Sequence, residues 1–191
     1  MNAPRLDFWF DFVDPLSWLL ALELAPLEEA GEAVVRWLPR ELRPPPTPLT
    51  SVDDPELAER WAQAHAIRGT REPAFAPARL VPWTRKAHEL VLHAEEHARA
   101  RPVRMRVFEA YLLEGRDIGR VDVLVEIARA EGLDHSNAKA VLDVDRHEAT
   151  VARFRDAAAA SGIDAPPTIA LGARRLEGFH NGAAVRTFLG T

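Results

Sequence analysis

The side chains that could carry chemistry fall into a few short stretches of the sequence. Asp14 and Ser17 stand three apart in Asp14-Pro15-Leu16-Ser17, directly after the aromatic run Phe8-Trp9-Phe10-Asp11-Phe12. An aspartate before a proline reads as the N-cap of a helix whose first turn holds the proline. There the carboxylate accepts backbone N–H bonds at the positive end of the helix dipole, worth about 1 kcal/mol. Asp14 is then either a pure cap or a weak general base, because the helix end lowers its pKa. Ser17, one turn in, is either a helix residue hydrogen-bonded near Asp14 or a substrate contact. No histidine adjacent in sequence marks it as an activated nucleophile. Trp18 reads as packing, with ligand stacking as the alternative. Arg79 and Arg85 offer guanidinium forks that could hold a carboxylate, or solvated surface charge. Glu89, His93 and His97 recur at i, i+4 and i+8, so one helix face carries all three. Two histidines at that spacing can bind a divalent metal. With no third ligand element, the face reads as polar and solvated, and no metal centre is expected. Cysteine is absent from the chain. Dithiol exchange requires attack by a thiolate, so that chemistry is excluded.

The elements that position these residues follow from pattern. Residues 6–13 alternate and are rich in phenylalanine, a strand signal. The helix opened by Asp14-Pro15 carries Leu16, Leu19, Leu20, Leu22, Leu24 and Leu27 and ends near Gly31. Ala33 to Leu38 reads as a second strand. Strand, helix and strand in so short a span make a βαβ unit with parallel strands. Pro44-Pro45-Pro46 and Pro48 form an extended connection. Helices are expected from Pro55, with Leu57, Trp61 and Ala64 on one face, from Pro82 to Ala100, from Val103 to Leu113, and from Val121 to Glu131. Two more are expected from Ser136 to Val141 and from Asp143 to Ala160, with Gly115, Gly119 and Gly132 as punctuation. Pro167 to Leu171 and Arg174 to Glu177 read as strands around a Gly172-Ala173 turn, and Asn181 starts a last helix.

Composition narrows the classes further. The 191 residues are 47% hydrophobic, enough for one compact domain or one domain with a large insertion, without disulfide or metal support. The formal net charge is −5, which gives no basic face for nucleic acid. No stretch approaches the roughly 18 uninterrupted apolar residues of a membrane span. No secretory signal is visible at Met1 to Arg5. A cytoplasmic protein is expected.

The order βαβ, long helical stretch, ββα resembles the thioredoxin fold carrying a helical insertion. Phe10-Asp11-Phe12-Val13-Asp14-Pro15-Leu16-Ser17-Trp18-Leu19 is similar to the active-site strand and helix start of DsbA-like proteins, whose pattern is roughly FDFxCPWC. Pro82-Trp83-Thr84-Arg85-Lys86-Ala87-His88 resembles the NTxxAH segment of the FrnE branch. Ala165-Pro166-Pro167-Thr168-Ile169 resembles the segment carrying the fold's cis-proline. The Gly115 to Gly132 stretch is similar to the family's helical insertion. The resemblance implies an α/β thioredoxin fold, with residues 1–45 and 162–191 forming the thioredoxin part and 46–161 an inserted helical domain. It puts the two family cysteines on Asp14 and Ser17. Kappa-class glutathione transferases and 2-hydroxychromene-2-carboxylate isomerases also lack the pair. They carry serine where Asp14 stands and use glutathione.

The same resemblance places His88 near the site, as the best titratable candidate or as a buried structural histidine. It implies a cis bond between Pro166 and Pro167, a tertiary amide in which cis costs only about 0.5–1 kcal/mol. The loop would face Asp14 and expose backbone groups to a peptide or to the cysteinyl part of glutathione, with Thr168 following. His180-Asn181 fall where glutathione-using relatives carry a pair for the γ-glutamyl group, but an acidic partner is missing unless Glu177 supplies it. No cofactor is implied by the residues themselves; glutathione or another thiol is what the relatives would bring. Two functions are expected. One is a non-redox enzyme, isomerase- or transferase-like, using Asp14, Ser17 and His88 on a small acidic or thiol-bearing substrate. Trp18, Arg85, Pro166, Pro167, Thr168, His180 and Asn181 would bind that substrate. The other is a non-catalytic module that binds a peptide or small ligand in the retained groove. Nucleic acid and membrane are not expected partners; a homodimer is an expected assembly.

Overall fold

The computed structural model describes residues 3–190. Its centre is a four-stranded sheet built on β1 (Arg5–Phe10), which pairs parallel with β2 (Val34–Pro39) and antiparallel with β5 (Thr168–Leu171). β6 (Arg174–Glu177) closes the order β2-β1-β5-β6. The β5–β6 hairpin turns on Gly172 at φ +62°, a left-handed conformation that glycine adopts without strain. Alternation places Leu6, Phe8 and Phe10 on one buried face. Trp9 is buried on the other against Leu38, Ala158 and Ile163. β1 is therefore covered on both sides, which explains its continuous apolar character.

α1 (Pro15–Glu29) follows β1 with Asp14 as N-cap, and α8 (Gly182–Leu189) packs beside it near the chain's end. Between β2 and β5 the chain forms β3 (Thr50–Ser51), α2 (Pro55–Arg68), β4 (Leu80–Val81), α3 (Arg85–Glu95) and α4 (Ala100–Leu112). α5 (Val121–Ala130), α6 (His135–Asp143) and α7 (Glu148–Ala160) complete the stretch. The βαβ…ββα order with helices in its middle is the thioredoxin-like α/β architecture that the residues implied. One contiguous core joins Phe10 and Phe12 to Val107, Phe108 and Tyr111 of α4. α2 lies against α1 and is bracketed by the antiparallel β3–β4 ribbon, an element too short to leave a sequence pattern. Among the described residues no helix is long and apolar enough to cross a membrane.

Several boundaries differ from expectation, each for a local reason. β1 stops at Phe10 rather than 13. The Asp11 carboxylate accepts from the N–H of Phe12 at 2.8 Å and of Leu42 at 2.6 Å, which turns the chain out of the ladder. The helix expected from 82 to 100 spans only Arg85–Glu95. Ala98 takes φ +55°, and Pro102 fits only the first turn of a new helix, α4. The helix expected from Asp143 starts at Glu148, after a turn in which Asp145 has φ +52°. Glu89 and His93 are not on a solvated face: both are buried, because α3 packs against α4, α5, α6 and α7. His97 lies past the end of α3.

Candidate functional site

Asp14 caps α1 as its sequence position requires. It sits in extended conformation at φ −94° and ψ 111°, fully buried. Its Oδ2 accepts from the Ser17 N–H at 2.9 Å and the Ser17 hydroxyl at 2.6 Å. Ser17 Oγ in turn accepts from the Asp11 N–H at 3.3 Å, tying the helix start to the end of β1. The other carboxylate oxygen, Oδ1, accepts from Arg60 Nη1 at 3.1 Å, and the same nitrogen donates to the Pro166 carbonyl at 2.7 Å. The bond between Pro166 and Pro167 is cis. Arg60 thus clasps the helix start to the proline loop. Asp14, Ser17 and Pro166 meet here, although Asp14 and Ser17 lie under the surface rather than on it.

Two expectations about this junction are corrected. Asp14 does not have its carboxyl lowered by the helix end. Complete burial pushes it up, with Arg60 the strongest opposing influence, followed by the Ser17 hydroxyl and N–H. Nor does Pro166 itself present open backbone groups beside Asp14. Pro166 has no N–H to give, and its carbonyl is occupied by Arg60.

Above the clasp lies a cleft of about 400 Å³. Leu16, Arg60, Gln63 and Pro166 line it, together with four carboxylates: Glu56, Glu59, Asp164 and Glu177. Arg43 pairs with Glu56 at 3.0 Å and Arg175 with Glu177 at 3.0 Å, both from the sides. Arg60, the one guanidinium lining the cleft among the described residues, is turned down onto Asp14. Anionic ligands therefore meet an acidic rim, and cationic or hydrogen-bond-donating groups meet acceptors.

The remaining candidates stand elsewhere. His88 is buried under the sheet end, between the rings of Phe10 and Phe12 at centroid distances of 5.2 and 4.7 Å. Its Nε2 lies 3.2 Å from Asp11 Oδ1. Trp18 packs with Phe75 and under the Arg68 guanidinium, 4.8 Å from its ring centre, facing a different cleft. Arg85 is tied to Asp145 at 3.0 Å and to Glu148, away from Asp14. Thr168 is buried and donates to the Ala165 carbonyl at 2.8 Å, bracing the proline loop. His180 bonds the Glu177 carbonyl and Asn181 caps α8 through the Ala184 N–H, so neither lines the cleft. Arg85, His180 and Asn181 are set apart because helix and hairpin ends aim them at local partners.

Three polar residues were not singled out from the sequence: Arg60, Asp11 and Glu41. Arg60 follows Leu57 by three and precedes Ala64 by four, so it borders the buried face of α2; that spacing was the available signal. Asp11 interrupts an apolar aromatic run, where a buried acid needs partners. Glu41 left no such signal. It is buried 3.8 Å from Arg155, and neither carboxylate oxygen has a hydrogen-bond partner among the described residues. Burial pushes its carboxyl up, with His88 opposing most strongly. The folded state then holds that proton to higher pH than the unfolded chain. The stability this contributes is complete below the ordinary value of 4.5 and is lost as pH rises through the raised one. Glu41→Gln is expected to flatten this decline. Urea unfolding of both proteins at several pH values above 4.5 checks it; parallel curves would count against it.

With this geometry in place, comparison with known proteins is direct. A family model for the DSBA-like thioredoxin domain matches residues 5–189. YwbO of Bacillus subtilis (strain 168) is 28% identical over 173 residues, covering 88% of this chain and 86% of its own. A solved 2-hydroxychromene-2-carboxylate isomerase superposes at TM-score 0.75 with 18% identity, over 97% of this chain and 91% of that one. The cytosolic disulfide reductase DsbM from Pseudomonas aeruginosa, solved with glutathione, superposes at 0.68 with 20% identity, over 97% of both chains. At such identities the two structures speak for the fold alone.

Proposed function

The chain belongs to the DSBA-like thioredoxin domain family, and we propose that it works there without thiols, as a small-ligand-binding protein. Its cleft would receive a neutral or cationic polar group rather than a glutathione thiolate. The observation that carries this reading is the Arg60 clasp. One guanidinium nitrogen satisfies both the carboxyl at the helix start and the carbonyl of the proline loop. The groups with which a relative would grip a peptide or a cysteinyl moiety are here absent or engaged. The four carboxylates of the rim supply acceptors for an amine, guanidine or hydroxyl instead. The Pro82–His88 segment supports a place in the FrnE-like branch. A cytoplasmic location goes with the same proposal, DsbM being named as cytosolic.

A second reading, an isomerase- or transferase-like enzyme, is favoured by one feature. Asp14 lies directly beneath the cleft with its carboxyl pushed up by burial. When a ligand draws Arg60 away, that carboxyl becomes a general acid–base nearer neutral pH. The readings separate in Asp14→Asn, which a binding protein tolerates and an enzyme does not.

Thermal-shift measurements with alkylamines, alkylguanidines, aromatic acids and reduced glutathione test the proposal. The first two classes are expected to raise Tm, and glutathione and the acids to leave it unchanged. Tight glutathione binding that strengthens as pH rises through an ordinary thiol pKa of about 8.5 overturns it. Insulin reduction and oxidation of a reduced peptide are expected to stay at the buffer rate, since no thiol is present to attack.

A further inference from the structure

At the far end of α3, two histidines and a glutamate converge from segments distant in sequence. His93 and Glu96 come from the last turn of α3 and its cap, and His147 from the turn that precedes α7. One ligand-capable atom of each lies within 4.8 Å of the others. Glu96 stands between the rings: its Oε2 is 3.7 Å from His93 Nδ1 and its Oε1 3.8 Å from His147 Nε2. Both of these imidazole nitrogens are buried and have no hydrogen-bond partner among the described residues. His93 as a whole is 1% exposed. A buried polar atom without a partner is costly, and here two such atoms point to the same carboxylate.

The surroundings hold the ligands in place. His147 donates its backbone N–H to Glu89 Oε2 at 3.1 Å, and Glu89 is itself buried in α3. Asp145, two residues earlier, accepts from Lys86 at 2.6 Å and from Arg85 at 3.0 Å. The turn is thereby pinned to α3 at both ends of its sharp bend. Glu96 is 40% exposed on its side chain, which leaves an entry path from solvent.

We propose that His93, Glu96 and His147 form a binding site for a borderline divalent cation of the zinc type, with an open fourth position. Two imidazoles and one carboxylate are a donor set that zinc accepts at about 2.0–2.2 Å. The atoms now stand farther apart than in a filled site, so binding requires Glu96 to rotate and the two imidazole rings to draw together. The nearest competing charge is Arg146, which reaches Glu96 at 3.3 Å and is half exposed, free to swing into water. Bound metal would staple α3 to α7 from outside the Asp14 cleft. The i, i+4 histidine pair read from sequence is thus not the site. His97 turns its Nδ1 to the His93 carbonyl at 3.0 Å, and the third ligand comes from a different element.

Chelator-treated protein titrated calorimetrically with zinc is expected to take up one ion per chain. Cobalt(II) is expected to give the visible absorption of a low-coordinate site. His147→Gln and Glu96→Gln, both at partly exposed positions, should weaken zinc by on the order of 100-fold or more, beyond the loss typical of removing an outer-shell partner. Arg146→Ala should tighten it, and His135→Gln, on α6, should leave it unchanged. Zinc should raise Tm of the wild type and not of His147→Gln, with circular dichroism confirming that each variant folds. No uptake by the wild type, or wild-type affinity in both His147→Gln and Glu96→Gln, overturns the proposal.

Discussion

Asp14→Ala is expected to lower the unfolding free energy by about 3 kcal/mol, measured by urea denaturation at neutral pH. Loss of an N-cap alone costs about 0.5–2 kcal/mol. The carboxylate here does more. It is fully buried and accepts from a backbone N–H, a hydroxyl and a guanidinium. Removing one partner of a buried pair strands the other, at about 3–5 kcal/mol when both are deep. The Arg60 side chain keeps 23% of its exposure, so water recovers part of that cost and the lower end applies. Asp14→Asn retains an acceptor for Ser17 and should cost about 1–2 kcal/mol. Arg60→Met combined with Asp14→Ala should fall short of the sum of the single effects by about 1–3 kcal/mol, as for residues in one network. The pH dependence has a definite sign. Without Arg60, the strongest influence holding the Asp14 carboxyl down is gone, so the carboxyl rises further above its ordinary value of 3.8. Arg60→Met should then lose stability as pH rises above 3.8, whereas Asp14→Asn should show no such decline. An Asp14→Ala protein as stable as the wild type would remove both the cap and the pair from this account.

The second large effect is a gain. Asp14→Cys combined with Ser17→Cys is expected to create thiol–disulfide exchange where the wild type has none. A sulfur at position 14 would lie at the start of α1 beside a guanidinium. Both features stabilise a thiolate, and comparable settings bring thiols from about 8.5 down to about 3.5–7.5. Access limits the reaction, because position 14 is fully buried under Arg60. The double variant should therefore turn over slowly, and adding Arg60→Ala should raise the rate although it removes a positive charge. Insulin reduction with all three proteins, together with titration of the thiolate absorbance, decides the matter. A faster double variant than triple variant would show that Arg60 acts on the thiolate and not as a cover.

What the sequence determined by itself was whatever depends on local chemistry and order. The helix start at Asp14-Pro15 follows from a cap and a fixed φ, and the alternation of β1 from a two-residue period. The βαβ…ββα order follows from where those signals fall, and the exclusion of dithiol chemistry from the absence of cysteine. Interruptions with a nearby cause, such as Pro102 at the start of α4, were also legible in principle. Tertiary structure decided everything that depends on which distant segments share a space. Asp14 and Pro166, 152 residues apart by their numbers, are joined by Arg60, a residue of α2 with no motif around it. Burial in that junction, and not the helix dipole, sets the direction in which the Asp14 carboxyl moves. His93 keeps His97 as a ring neighbour at 4.6 Å between centroids, but the ligand-capable atoms that gather at His93 are those of Glu96 and His147, because the turn before α7 folds back over the end of α3. Periodicity and capping act over a few residues and can be read along the chain. Desolvation and ion pairing act through space, and exist only once the chain has brought the groups together.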